Sequence, residues 1–161
     1  MAKVYTGRDG VMQVGGTTLA KVVNFQLSAN LETLETTTLS ENIRSYTPGI
    51  SGYSGSATLL YYKDDSNTIN TAAMLDKLYK TGTTGVSSSD TVELTFKWLD
   101  GTLERDETTG LVTGVVDGGD ENVIKLTAYI TSASLGAVTG DIVRAEIAFQ
   151  GTGALSTATI S

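Results

Sequence analysis

Two carboxylate pairs, two oxygen-rich turns, a serine run and one glycine doublet are the residues with types and spacing suited to chemistry. Glu32 with Glu35, or Glu104 with Asp106, would suit acid–base hydrolysis of a glycosidic bond. Glu32 and Glu35 differ in parity, so a regular strand sends them to opposite faces. Glu104 and Asp106 fall in a stretch read as a loop, with no aromatic platform beside them. Asp106-Glu107-Thr108-Thr109-Gly110 and Asp117-Gly118-Gly119-Asp120-Glu121 offer hard oxygen ligands for Ca²⁺. Neither has the loop spacing that ends in a bidentate Glu. Ser87-Ser88-Ser89 has no base near it in sequence and reads as linker. Gly151-Thr152-Gly153 begins a dinucleotide-type pattern without its third glycine or its helix. The chain has no histidine and no cysteine. The commonest general base, the commonest imidazole ligand and all thiolate chemistry are therefore missing. No catalytic residue, no metal site and no cofactor is expected.

The elements that would carry such residues are mostly strands. The 161 residues carry one pattern of hydrophobicity throughout, which fits a single domain spanning 1–161. Asp9-Gly10 between residues 3–6 and 11–14 predicts a hairpin, and Gly15-Gly16 the next turn. From Val23 the alternation is clean: Val23, Phe25, Leu27, Ala29 and Leu31 form a dry face. Asn24, Gln26, Ser28, Asn30 and Glu32 form a wet one. Residues 34–39 continue as extended, threonine-rich chain. Residues 40–55 read as a long loop, holding the only proline, three glycines and the apolar residues Ile43, Tyr46, Ile50 and Tyr53. A strand follows over 56–62 and a helix over about 68–80. That helix has Ser66 or Asn67 as its cap, Ala72, Leu75, Leu78 and Tyr79 as its apolar stripe, Lys77 and Lys80 in its last turn, and Gly82 as its stop. Val92–Trp98 alternates, as do the stretches from Ile124 and from Val143. A short strand is predicted over 111–116. Residues 151–161 are small and polar and read as a C-terminal arm. Many strands with one helix predict a mainly β fold, a sandwich or barrel with the helix packed on it.

The net charge of -7 and the pI near 4.4 oppose tight binding of nucleic acid, which needs clustered cations. The excess is local. Residues 100–121 hold seven carboxylates against Arg105 alone, a solvated surface segment or a ring formed by repetition in an oligomer. The wet faces themselves balance, with Glu32 and Glu146 against Lys125 and Arg144. No run of ~20 apolar residues is present, so no membrane partner is expected, and the N-terminus lacks an apolar leader.

The stretch VVNFQLSANLETLETTTL, then SYTPG and SGSATLLYYKDD, resembles the tail-tube proteins of long-tailed bacteriophages. The resemblance resumes at NTAAMLDKLYKTG and closes with IVRAEIAFQGTGAL. It implies a β-sandwich with a flanking helix, closed by sixes into rings that stack into a tube for genome delivery. It implies that residues 38–55, with Ile43, Arg44, Tyr46, Pro48, Ile50 and Tyr53, reach the neighbouring ring. The wet-face residues from Asn24 to Glu32 would line the lumen, and residues 151–161 would bridge subunits. Its partners would be copies of itself, tip or initiator, terminator, and tape-measure or sheath proteins, with DNA passing transiently. It would be built in a bacterial cytoplasm and end in the virion tail. The inner tube of a contractile injection or secretion system shares the architecture. An adhesin or carbohydrate-binding module would need a wall of aromatics, and the one tryptophan, Trp98, has core parity with Phe96.

Overall fold

The computed structural model describes residues 10–15, 17–18, 22–60, 72–82, 85–99, 103–105, 107, 112–115 and 121–160. Ten strands and one helical turn are described: β1 Gly10–Val14, β2 Thr17–Thr18, β3 Val22–Glu35, β4 Tyr46–Leu60, α1 Ala72–Leu75, β5 Thr91–Leu99, β6 Leu103–Arg105, β7 Val112–Val115, β8 Glu121–Gly136, β9 Arg144–Gly151 and β10 Thr157–Thr159. The pairings are all antiparallel, and the main sheet runs β2-β1-β5-β8-β9-β4-β3. β10 joins it along β8, while β6 and β7 pair with each other.

The alternation seen in the sequence explains the core. Leu94 and Phe96 on β5, Leu126, Ala128 and Ile130 on β8, and Ala145, Ile147 and Phe149 on β9 are all buried. Strand parity places them on one face. The sheet then curls until its far edge meets its other end. Phe25 on β3 lies 5.1 Å from Phe96 and 5.8 Å from Trp98, both on β5, between ring centroids. Phe96 also stacks on Phe149 at 5.6 Å. These are spacings at which aromatic pairs attract beyond their burial. The predicted mainly β sandwich or barrel is the fold observed.

Several boundaries differ from expectation. The stretch 40–55 is not a long loop: β4 begins at Tyr46, and only residues 36–45 turn the chain. The twelve register pairs between β3 and β4 account for this, because cross-strand hydrogen bonds hold extended chain whatever its apolar content. Pro48 is tolerated because it lies beside a register shift and β4 there has β3 on one side only. The extended chain expected over 34–39 stops as strand at Glu35. Val23 is not on the dry face. A bulge between Val22 and Asn24 turns Val23 outward, 51% exposed, and Val22 packs on the core instead.

The strand predicted from Ile124 runs to Gly136, past a second bulge between Ile130 and Ser132. The C-terminal arm is partly sheet. Thr152 N–H donates to Thr127 C=O, Ser156 N–H donates to Lys125 C=O, and β10 pairs with Val123–Lys125. Glu104 stands on β6 rather than in a loop, and the strand predicted over 111–116 is β7. The N-terminal hairpin before Gly10, the cap at Ser66 or Asn67 and most of the acidic segment lie outside the described residues.

Glycine roles also shift. Gly49, Gly52 and Gly55 all have ordinary backbone angles, so conformational freedom is not their purpose. A Cβ on Gly55 would collide with the Gln26 carbonyl and stand 2.6 Å from Phe149 Cζ. The ring stack therefore requires a bare backbone beneath it. A Cβ on Gly52 would meet nothing closer than Gln150 Nε2 at 3.9 Å.

The described helix is one turn and ends at Leu75, so Lys77 and Lys80 do not occupy its last turn. Met74 and Leu75 are its buried anchors, and Leu78 packs beside them. Gly82, in the left-handed region at φ 81°, turns the chain later rather than stopping the helix. Lys80 then reaches Asp90, Nζ to Oδ1 at 2.8 Å. Ser87 N–H donates to Asp90 Oδ2 at 2.8 Å. Tyr129 OH donates to Ser88 C=O and Tyr79 OH to Ala133 C=O, each at 2.9 Å. The two tyrosine bonds hold Tyr79 and Ser88 against β8.

The fold generates two predictions. Gly55→Ala should destabilise by about 1–3 kcal/mol through overpacking, whereas Gly52→Ala should be near neutral in the same denaturant titration. The hydrogen bond from Lys80, then that from Ser87, holds the Asp90 carboxyl at about 2, below its ordinary 3.8. The unfolded chain therefore binds that proton more readily, and the contribution is complete above pH ~4 and lost as pH falls towards 2. The melting-temperature gap between wild type and Asp90→Asn should narrow over that window in thermal scans.

Candidate assembly surfaces

One half of the sheet presents a four-stranded, mainly polar face. Register pairs define its rows: Ser134, Glu146, Thr58, Asn24; then Ser132, Ala148, Ser56, Gln26; then Tyr129, Gln150, Ser54, Ser28. Partners directly opposite share a face, so these residues stand together on the side away from the core. Of the wet-face residues read from sequence, Asn24, Gln26, Asn30 and Glu32 are exposed and Ser28 is half-buried. β3 has no inserted residue after Asn24, so all five keep one face. Glu35 takes the other, which separates it from Glu32. The rows hold a single charge, Glu146, with Arg144 one step beyond them. Lys125 is engaged elsewhere, its Nζ 3.0 Å from Glu93 Oε1.

That four-stranded unit has two unfilled edges. β3 is the terminal strand of the sheet. β8 pairs with β5 only as far as Tyr129, so from Ile130 to Gly136 its side away from β9 has no strand among the described residues. β3 carries no proline, lysine or arginine along its 14 residues, the devices that ordinarily blunt an edge.

The unit also overhangs at both ends. β9 ends beside β4 at Gln150–Ser54, while β3 and β4 continue as a two-stranded arm. Leu31, Leu34, Leu39, Ile43, Tyr46 and Ile50 on this arm are all more than half exposed. A soluble monomer seldom shows so much large apolar surface in one feature. The arm is built rather than slack. Thr36 N–H donates to Ser45 C=O, Ser45 N–H donates to Thr37 Oγ1, and Thr38 N–H donates to Glu41 Oε2. At the opposite end of the sheet, where Arg144 pairs with Leu60, the β8–β9 turn exposes Val138 and Ile142, and Leu135 is exposed beside it at the end of β8.

The six residues expected to stack divide accordingly. Ile43 and Arg44 lie in the turn at the arm's tip, whereas Tyr46, Pro48, Ile50 and Tyr53 belong to β4. Tyr53 is half-buried, with its carbonyl accepting from Gln150 Nε2 at 2.8 Å. Sequence reading missed the β8–β9 end and the Ser132 and Ser134 contribution to the polar face. Thr131, Ser132, Ala133 and Ser134 carry no apolar alternation, and only Leu135, Val138 and Ile142 beyond them signalled an exposed end. Between Val22, Phe25, Leu27, Trp98 and Ile124 lies a cleft of about 350 Å³, with no paired acid and base among its lining residues.

No protein-family model matches the chain, and no curated protein is a significant sequence match. The fold nevertheless has close structural counterparts. The tail of an empty gene transfer agent particle, refined with C6 symmetry, contains a chain with TM-score 0.60 and 17% identity, covering 97% of this chain and 100% of that one. The SPP1 tail tube matches with TM-score 0.62 and 14% identity, over 98% of this chain and 81% of that one. A sheath/tube terminator of an extracellular contractile injection system matches with TM-score 0.62 and 13% identity, over 97% and 99%. The chain has the fold of tail-tube proteins and of the related tube components of contractile injection systems.

Because the arm lies outside the packed core, Leu34→Ser with Ile50→Ser should change the stability of the unassembled protein by no more than roughly 0.5 kcal/mol each. Phe25→Ala should cost about 3–5 kcal/mol in the same urea titration.

Proposed function

We propose that this protein is a structural subunit of a phage-type tail tube, built by copies of itself into closed rings that stack into a conduit for DNA. The observation that carries the reading is the four-stranded polar face flanked by two unfilled edges. Such a unit can add to a copy of itself side by side, β3 of one against distal β8 of the next. Head-to-tail contacts of this kind give a ring when the rotation closes. Closure also removes both aggregation-prone edges. Six copies per ring is the number supported by the C6 symmetry of the gene transfer agent tail.

On this reading the polar face lines the lumen and is suited to passage. Its hydroxyls and amides hydrogen-bond water, and its few charges leave the phosphate backbone no row of cations to grip. The function is mechanical and non-enzymatic. Asn24, Gln26, Ser28, Asn30 and Glu32 are lumen residues, and the arm from Leu31 to Ile50 serves contact between rings. Partners include the proteins that start, end or sheathe a tube, a reading supported by the tube-terminating cap and the sheath–tube complexes among the similar structures, and the place of action is the virion tail. The inner tube of a contractile system is the second reading, supported by the injection-system matches of equal TM-score.

Electron microscopy of concentrated or tip-nucleated protein should show rings or tubes, and monomers under every condition would refute the proposal. Gln26→Lys with Asn30→Lys, placed in an assembling particle, should leave tubes intact and slow genome ejection. Normal ejection from normal tubes would remove this face from the lumen.

A further inference from the structure

We infer that residues 152–159 act as an edge guard: the C-terminal segment stays on its own copy and closes the one side of β8 where a second copy would otherwise pair out of place. The inference goes beyond the tube reading and uses it only to say which side of β8 must stay open.

For pairing purposes β8 is two half-strands. Its first half pairs with β5 as far as Tyr129, and its second half pairs with β9 on the other side from Ala128 onward. Each half would therefore keep one bare side. The second half does keep it. The first half does not, because the chain leaves β9 at Gly151 and runs on beside β8. Thr157, Ala158 and Thr159 pair with Lys125, Ile124 and Val123. Thr152 N–H and Ser156 N–H donate to the carbonyls of Thr127 and Lys125, each at 2.8 Å.

The route is built into the chain. From Gly151 to Thr157 the segment takes six steps while its partner moves three, from Ala128 to Lys125. The surplus turns at Gly153, φ 75°, and brings Leu155 back onto the core. A Cβ on Gly151 would stand 3.1 Å from both Leu126 Cδ1 and the Tyr53 carbonyl oxygen, so the chain passes tightly at the point where it parts from β4. Leu155 is an anchor that a segment bridging two copies would have to give up.

The guard hides a hazardous edge and offers a blunt one. Residues 123–130 read VIKLTAYI, rich in β-branched and aromatic residues and free of proline and glycine. The one charge among them, Lys125, is neutralised by Glu93. Such a segment on an open edge is a template for pairing between chains. In its place stand three residues, Thr157–Thr159, all exposed and none large. Ile160, one residue past the last pair, is exposed but joins no ladder among the described residues. Very short edge strands limit edge-to-edge addition. β3 and the second half of β8 have no such cover among the described residues, so the guard leaves an incoming copy one place on β8 to add. The occupant it excludes is an edge strand of a second copy.

Val123 and Thr159 are direct register partners within reach of a disulfide, and the chain has no native cysteine. The full chain carrying Val123→Cys with Thr159→Cys is oxidised before and after assembly, then run on non-reducing gels with free thiols counted. The expected result in both states is a monomer band without free thiol, from protein that assembles as readily locked as reduced. A ladder of multimers from assembled protein means that the segment bridges copies and overturns the inference. Two free thiols in every state overturn it too, as does locked protein that fails to assemble where reduced protein succeeds. The guarding role is read from Ser156→Pro, which removes the N–H bonded to Lys125, and from Leu155→Ser, which detaches the anchor. Each should keep a cooperative thermal transition and scatter light at about tenfold lower concentration than wild type, through irregular addition along the bared edge. Folded variants that scatter no earlier than wild type overturn the guard. If neither variant folds, the locked protein decides: it should aggregate later than reduced protein on mild heating, and equal onset overturns the guard. Wild-type protein that forms no tube even when nucleated refutes the tube reading, while the cross-link and scattering of the unassembled protein still decide this inference.

Discussion

The contact on which the rest of the structure depends is the meeting of Phe25 with Phe96, with Phe149 stacked on the far side. It joins β3, at one edge of a long antiparallel sheet, to β5 near the opposite edge. Without it the sheet would remain open and its apolar face wet. With it the sheet curls into a closed core in which Leu94, Phe96 and Ala128 are fully buried. The demand on Gly55 follows, since the β4 backbone must pass directly under the Phe149 ring.

Closing the core in this way fixes what stays outside it. Half of the sheet is committed to the interior on one face only, so its other face must be polar. The strands differ in length, so the longest pair overhangs. β5 ends its pairing at Tyr129, so the remainder of β8 keeps a free side. These are consequences of register, and together they make a subunit whose unsatisfied groups lie along two edges and at two ends. Such a distribution suits repetition around a ring and along an axis better than it suits a monomer.

The electrostatics point the same way. The chain is acidic as a whole, yet the four-stranded polar face is nearly neutral, with short hydroxyl and amide side chains in register. The excess negative charge belongs to the segment 100–121, of which the described residues are the paired β6 and β7, Glu107 and Glu121 at the start of β8. A neutral, water-bonded wall neither holds a polyanion nor excludes it strongly. Lys125, which the sequence reading counted with Arg144 among the wet-face charges, is neutralised by Glu93.

The amino-acid sequence by itself determined the fold class, the face assignments of β5, β8 and β9, and the wet set from Asn24 to Glu32. Each of these rests on alternation of side chains with period two, a local property of extended chain. The absence of histidine and cysteine likewise left little catalytic logic to find. Tertiary structure alone decided where alternation is uninformative. Tyr46–Tyr53 has solvent on both faces, so nothing in its side chains announces a strand, and glycine with proline reads as loop until β3 is placed beside it. The outward turn of Val23 comes from one inserted residue in a ladder, and the placement of residues 152–159 along β8 comes from backbone hydrogen bonds. The two overhanging ends emerge only when strands far apart in sequence are aligned, because an end is a relation between strands and not a property of any one of them.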